Sequence, residues 1–183
     1  MKPLIDLLAL FIGVLLAFII QNFLPPMADL HGAHVLLVPM VFCYAAMVLP
    51  FPAMLAAAFF TGFLSDLFYL HVVAGKVEIP VGYSIVFFVI FGCFANGFRP
   101  AMESRNSWPF ILLSTLGTSL FLLVQFLLIT FIRGGIIVAP AVGWRILAPG
   151  LIAGLIAPLF YWTVSHMDRL LPDASRKLRS VNR

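Results

Sequence analysis

The chain has 183 residues, of which 63% are hydrophobic and only 10% are charged, and its mean hydropathy is +1.11. A soluble domain carries about 25% charged residues, so this composition excludes a soluble globular protein. The net charge of +4 does not indicate nucleic-acid binding, because the basic residues crowd beside the last apolar run. We expect an integral membrane protein built from helices, since the apolar runs are long and lack the alternation of barrel strands.

Six apolar segments approach the roughly 20 residues that a spanning helix needs. Proline marks most of the joints: Pro25 and Pro26 follow the first segment, Pro50 and Pro52 separate the second from the third, and Pro80 precedes the fourth. The sequence therefore predicts an all-α integral membrane protein, a compact bundle of about six transmembrane helices with short loops in one domain, 1–183. The predicted spans are 4–24, 34–49, 53–71, 81–98, 108–132 and 144–167, and a basic cytoplasmic tail follows over 168–183.

Two segments leave the topology open. The predicted span 34–49 is short and contains Pro39, so full crossing is not established. The apolar stretch 134–143 contains Pro140 and three glycines, which suits an interfacial or re-entrant piece as well as a plain loop.

The distribution of basic residues predicts the orientation. With six spans both termini share one side, and placing them in the cytoplasm gives eight basic residues inside and three outside, as the positive-inside rule requires. The inside set is Lys2, Arg99, Arg105, Arg169, Arg176, Lys177, Arg179 and Arg183, and the outside set is Lys76, Arg133 and Arg145.

Asp66 is the most informative single residue, because it is the only charge between Ala56 and Leu70. A carboxylate at the centre of a spanning helix costs roughly 2.5 to 3.5 kcal/mol to insert. Something must offset that cost: a structural contact, a partner or ligand, or a proton relay. Depth along the spans places it in one outer polar layer with Tyr83, Gln125 and Arg145, in which Arg145 or Tyr83 is its nearest expected partner. Gln21, Asn22 and Ser84 fall at the same depth.

Small residues mark two helix faces for close packing. Ala58 and Gly62 share a face with Asp66, and Gly150 and Gly154 form a GxxxG pair in the last span. Such faces serve either packing within the bundle or docking of a partner's membrane helix, and spacing alone does not distinguish the two.

We find no sequence pattern that supports catalysis or a cofactor. The residues Asp29, His31 and His34 have a spacing that metal sites use, but nothing nearby supplies further ligands. Nucleophile and zinc-protease motifs, phosphate-binding loops and paired carboxylates within one span are missing from the sequence. We expect neither enzymatic activity nor a metal or cofactor.

The chain resembles the bacterial rod-shape-determining MreD family. The resemblance rests on Gly62 and Asp66 in the middle helix, the Leu49-Pro50 turn before it, Gly82 at the next helix, and the short basic tail. It implies a multi-pass protein of the bacterial cytoplasmic (inner) membrane, a scaffold without chemistry of its own. The implied partners are an MreC-like bitopic protein and, indirectly, the MreB filament, RodA and a class B penicillin-binding protein, together with membrane lipids; a homo-oligomer is also open.

Two alternatives belong to other functional classes. Substrate-capture subunits of energy-coupling-factor transporters also use six short-looped helices, but a solute pocket needs several convergent polar groups, and few are present. A small lipid-handling enzyme would need the catalytic set that the sequence lacks.

Overall fold

The computed structural model describes the backbone of residues 2–25, 27, 34–68, 72–73, 76–77, 82–100, 107–134 and 140–181, and the side chains of 7–25, 27, 34–68, 82–100, 107–132, 134 and 142–166. Six α-helices lie within this part of the chain. They are α1 (Lys2–Phe23), α2 (Val38–Val48), α3 (Phe51–Phe68), α4 (Tyr83–Asn96), α5 (Trp108–Arg133) and α6 (Pro140–Val181).

The number of helices matches the prediction, but several bounds differ. Helix α2 begins four residues after the start of the predicted span 34–49, with Pro39 in its first turn, where the fixed φ of proline suits a helix and its missing N–H is not needed. Helix α6 is longer than predicted at both ends. It takes in residues 140–143 of the presumed loop, and most of the presumed tail 168–183 is helical, through Val181.

The connection between α3 and α4 contains two short strands. Strands β1 (Val72–Val73) and β2 (Lys76–Val77) pair antiparallel, with Val72 opposite Val77 and Val73 opposite Lys76. The all-α prediction therefore holds for the bundle but missed this hairpin, whose strands of two residues are too short to give a clear period-2 pattern.

Three of the described helices are long and apolar enough to cross a membrane, which indicates a membrane protein. They are Phe51–Phe68, Trp108–Ile132 and Val142–His166. Among the residues with described side chains, the apolar stretches Leu7–Phe23 (part of α1), Val38–Val48 and Tyr83–Asn96 are shorter, and the exact number of spans stays a prediction.

Helix α2 forms the centre of the bundle. It contacts each of the other five helices, and all of its residues except Tyr44 and Val48 are buried. Phe42 meets the edge of Phe88 with ring centroids 4.9 Å apart, and Tyr44 lies between Phe110 and Phe160. A helix that is apolar on every side is suited to this central position.

The length of α2 creates a problem that the fold must solve. Eleven residues give about 16 Å at 1.5 Å per residue, about half of the roughly 30 Å hydrocarbon layer. An α-helix leaves its first N–H and last C=O groups without partners inside the helix. Where such ends lie among apolar side chains, other groups of the protein must satisfy them.

Side chains from two neighbouring helices satisfy both ends of α2. At its start, the Gln21 side-chain oxygen accepts hydrogen bonds from the N–H groups of Leu37 and Val38, at 3.1 and 3.4 Å. At its end, the Asn96 side-chain amide donates to the carbonyl oxygens of Ala46 and Leu49, at 2.6 and 3.0 Å. Gln21 belongs to α1 and Asn96 to α4, so these caps also fix both neighbours along the axis of α2.

We expect Gln21→Leu to destabilise the protein by about 1–3 kcal/mol, because it leaves two N–H groups at the start of α2 without an acceptor. The measurement is the midpoint of thermal unfolding in mild detergent. Asn22→Leu is the matched control, since Asn22 is exposed and its side chain donates only within its own helix, to the Phe18 carbonyl at 2.9 Å. Equal midpoints for the two variants would show that Gln21 does not cap α2.

Candidate functional site

Asp66 lies in the last turn of α3 and caps the start of α4. Its Oδ2 atom accepts a hydrogen bond from the Gly82 N–H at 2.5 Å, and its Oδ1 atom accepts one from the Ser84 N–H at 3.3 Å. Both N–H groups are among those that a helix start leaves unpaired, and the helix dipole favours a carboxylate at this end. The side chain is 5% exposed, so the apolar bundle encloses this pair of hydrogen bonds.

Gly62, one turn before Asp66, lets the two helices approach closely enough for this cap. A Cβ atom at position 62 would lie closer than 3.0 Å to backbone atoms of Ser84 and Ile85. Those atoms belong to the first turn of α4, so no side-chain movement would relieve the overlap. The spacing of four residues puts Gly62 and Asp66 on one face of α3, and together they form the α3–α4 junction.

Gly82 completes the junction from the side of α4. It precedes the helix with φ of +107°, a left-handed conformation that side chains other than glycine rarely tolerate. This conformation turns the Gly82 N–H toward Asp66 while its carbonyl begins the helix by accepting from Val86. The junction therefore needs glycine at position 82 for its conformation and at position 62 for its lack of a side chain.

The contacts shown for Asp66 are with backbone groups, and its expected contact with Arg145 or Tyr83 stays a prediction. The hydrogen bonds that Asp66 accepts come from backbone groups on either side of Tyr83, and the Tyr83 ring stacks on Phe121 with centroids 6.0 Å apart. Tyr83 is nonetheless next to Asp66 at the junction, as the polar layer requires. Gln125 is half-buried on α5 and Arg145 is exposed on α6, and their membership of one layer with Asp66 stays a prediction.

The Gly150–Gly154 face of α6 packs against α5. A Cβ at Gly150 would overlap the Ser119 Oγ atom and lie 2.7 Å from the Thr115 carbonyl oxygen, and a Cβ at Gly154 would overlap the Thr115 Oγ1 atom. The structure thus uses this face for packing within the chain. Ala58 is likewise fully buried on α3, so the residues that predicted helix packing lie inside the bundle.

A groove remains open on the outside of the bundle, between α4 and α5. It has a volume of about 700 Å³ and is bordered by a row of apolar side chains from each helix. The row on α4 is Val86, Ile90 and Phe94, and the row on α5 is Leu120, Val124 and Leu128.

The floor of the α4–α5 groove is made of aromatic rings in direct contact. Phe87 meets the edge of Phe121 at a centroid distance of 5.2 Å. Phe91 lies where a side chain on Gly117 would be, because a Cβ there would come within 3 Å of its ring atoms. The two helices therefore touch at the floor and diverge toward the surface.

The described side chains form no cluster that could hold a metal ion. No three histidine, cysteine or acidic side chains of this part of the chain come together as metal ligands would, and residues 28–33, which include Asp29 and His31, lie outside the described residues. The one buried carboxyl group at the α3–α4 junction is engaged by backbone N–H groups. This arrangement holds the start of α4 against α3.

Sequence reasoning missed Asn96 and gave Gln21 no specific role. Each amide lies near the end of an apolar helix, which was the signal that could have identified a cap.

Comparison of the chain with protein-family models, curated proteins and solved structures finds no match, so the site is interpreted from its geometry.

The α3–α4 junction predicts a graded response to changes at Asp66. Asp66→Ala removes the acceptor for two N–H groups and should cost about 2–3 kcal/mol, whereas Asp66→Asn keeps one acceptor oxygen and should cost less. The midpoint of thermal unfolding in detergent measures both. An Asn variant as unstable as the Ala variant would contradict a role based on accepting hydrogen bonds.

The close approach at Gly62 predicts that even one methyl group is not tolerated. Gly62→Ala should destabilise by about 1–3 kcal/mol, because it forces the backbones of α3 and α4 apart. Gly13→Ala is the control, since a Cβ at position 13 would make an ordinary contact 3.9 Å from Val41. Similar unfolding midpoints for the two variants would contradict the observed approach.

The α5–α6 interface predicts an order of effects for three glycines of α6. Gly150→Ala should be the most damaging because it meets a backbone oxygen, Gly154→Ala should be milder because a side chain can move, and Gly143→Ala should be neutral because nothing lies within 4 Å of its Cβ. Unfolding midpoints of the three variants test this order. If Gly143→Ala lowered the unfolding midpoint most, the result would contradict the α5–α6 packing described above.

Proposed function

We propose that the protein is a non-enzymatic membrane scaffold of the bacterial cell-elongation machinery, of the MreD kind. The observation that carries the proposal is the α3–α4 junction. Gly62, Asp66 and Gly82, on which the resemblance to MreD rests, meet at one place and depend on one another. A resemblance whose residues act together in one structural contact is better supported than a resemblance whose residues lie far apart.

The geometry favours a scaffold because its polar side chains hold helices in place. Gln21, Asn96 and Asp66 each satisfy backbone groups of another helix or of the turn that precedes it. The outer faces of the described helices are apolar over long stretches. A protein of this kind acts through contacts that its helices make within the membrane.

The proposal includes the topology and the partners implied by the resemblance. The protein has six membrane helices with both termini in the cytoplasm, in the bacterial inner membrane. It holds an MreC-like bitopic protein, and through it acts with the MreB filament, RodA and a class B penicillin-binding protein in peptidoglycan synthesis. The groove is lined by apolar side chains, which does not favour the alternative of a polar solute pocket.

Depletion of the protein in its native host tests this function. We expect rod-shaped cells to widen and round, and the insertion of fluorescent D-amino acids along the side wall to fall, because the elongation complex loses its scaffold. Re-expression of the wild type and of the control variant Gly13→Ala should restore both. Cells that stay rod-shaped after verified loss of the protein would refute the proposal, and a defect in vitamin uptake would support the transport alternative.

A further inference from the structure

We propose that the C-terminal part of α6, residues 168–181, is an amphipathic helix that bends at Pro172 and lies on the membrane surface, where it binds anionic lipid headgroups. This inference goes beyond the proposed scaffold function and does not depend on it. It requires that α6 crosses a membrane, for which the helix is long and apolar enough.

Helix α6 continues well past the end of its apolar part. Its candidate span ends at His166, and its backbone stays helical for fifteen more residues, to Val181, which is about 22 Å at 1.5 Å per residue. Phe110 of α5 contacts Tyr161 with ring centroids 6.1 Å apart, and α5 begins two residues earlier, at Trp108. The end of α6 therefore extends beyond the start of its neighbour α5.

Exposed tryptophans mark the level at which α6 leaves the hydrocarbon layer. Trp108 and Trp162 lie at this same end of the bundle and are 66% and 63% exposed, and Trp162 stacks on His166 with ring centroids 5.5 Å apart. Exposed tryptophan rings concentrate where hydrocarbon meets the lipid headgroups. The segment that begins at Asp168 therefore starts among the headgroups.

The residue pattern of 168–181 is that of a helix that lies in an interface. On the helical backbone its apolar residues share one face, because four of them follow the i, i+4, i+8, i+11 spacing and the fifth is adjacent: Leu170, Ala174, Leu178 and Val181, with Leu171. The same register places three arginines on the opposite face: Arg169, Arg176 and Arg179. A helix with one apolar and one basic face is typical of segments bound at a membrane surface.

Pro172 provides a bend in the direction that this arrangement needs. A proline inside a helix loses one hydrogen bond, and its ring meets the carbonyl group four residues earlier, which here belongs to Asp168. Relief of that overlap opens the helix on the side of the proline and bends it toward the opposite side. By register Pro172 lies opposite the apolar residues, so the bend turns the apolar face toward the membrane.

The charge of the segment selects the lipid. Residues 168–183 contain two acidic residues, Asp168 and Asp173, and five basic ones: Arg169, Arg176, Lys177, Arg179 and Arg183. Each basic residue near an anionic leaflet strengthens membrane association about fivefold, whereas a neutral leaflet offers the apolar face alone. The lipid phosphate is favoured over a soluble acidic partner, because the segment starts among the headgroups and its bend lays it along them.

The depth of a fluorescent label on the full chain in lipid nanodiscs tests this inference. Bimane is attached to Leu178→Cys, in the apolar register, or to Ser180→Cys, in the opposite register; exposed Cys93 is replaced by alanine and buried Cys43 is kept. The discs contain phosphatidylcholine alone or mixed with phosphatidylglycerol, together with a lipid whose nitroxide quencher lies just below the headgroup. On a straight extension residue 178 would stand about 18 Å beyond His166, outside the layer that holds the quencher.

We expect strong quenching at position 178 in the anionic discs, weaker quenching there in the neutral discs, and weaker quenching at position 180. Arg176→Gln with Arg179→Gln should lower the ratio of quenched to unquenched label at position 178 about 25-fold, fivefold for each charge. Arg176→Lys with Arg179→Lys keeps both charges and should leave the ratio unchanged, while Pro172→Ala removes the bend and should lower it. Elution by size exclusion checks that every variant folds.

The contrary outcomes are distinct. A label at position 178 that stays unquenched in anionic discs would overturn the inference, and contact with a second copy or a soluble partner would give that result. Equal quenching in neutral and anionic discs would refute binding to charged headgroups, and equal quenching at positions 178 and 180 would refute the amphipathic arrangement. An unchanged ratio in Pro172→Ala would refute the bend. The scaffold function is tested separately, by depletion, and stands or fails independently of these results.

Discussion

The fold depends on one constraint: a helix that ends inside an apolar layer must have its terminal backbone groups satisfied by the protein itself. Helix α2, of eleven residues, and α4, of fourteen, are the shortest helices of the bundle and meet this constraint directly. Gln21 accepts at the start of α2, Asn96 donates at its end, and Asp66 accepts at the start of α4. Each capping side chain offers the group that its helix end needs, because N–H groups need an acceptor and carbonyl groups need a donor.

These caps explain three of the polar side chains in this apolar chain, Gln21, Asn96 and Asp66. A buried amide or carboxyl group is costly when unpaired. Each of these three side chains is hydrogen-bonded, and the backbone groups that it bonds belong to a helix end that would otherwise leave them unpaired. Each also joins distant parts of the chain: Gln21 reaches sixteen residues ahead, and Asn96 reaches back fifty residues to Ala46. The tertiary arrangement of α1, α2, α3 and α4 is therefore fixed by directional contacts, which apolar packing alone does not provide.

The sequence was sufficient for the parts of the fold that depend on local pattern. Long apolar runs and proline joints predicted six helices, and the charge of Asp66 predicted an important contact. The backbone contacts of Asp66 were not predicted, because backbone N–H groups have no signature in sequence beyond the glycine at position 82. The central position of α2 was also missed, because a helix that is apolar on all sides has no face to indicate its neighbours. For Gly150 and Gly154, spacing predicted a close approach but could not identify Thr115 and Ser119 as the groups approached.

The same contacts hold one wall of the α4–α5 groove in place. Helix α4 is held at its start by Asp66 and is hydrogen-bonded near its end to α2 through Asn96. These contacts fix the side of the α4–α5 groove that α4 forms. At the floor of the groove, Phe91 lies against Gly117 and Phe87 lies against Phe121. These rings keep α4 and α5 apart. A weakened α3–α4 junction would therefore also loosen the α4 wall of this groove, so the cap at Asp66 affects the surface of the bundle as well as its interior.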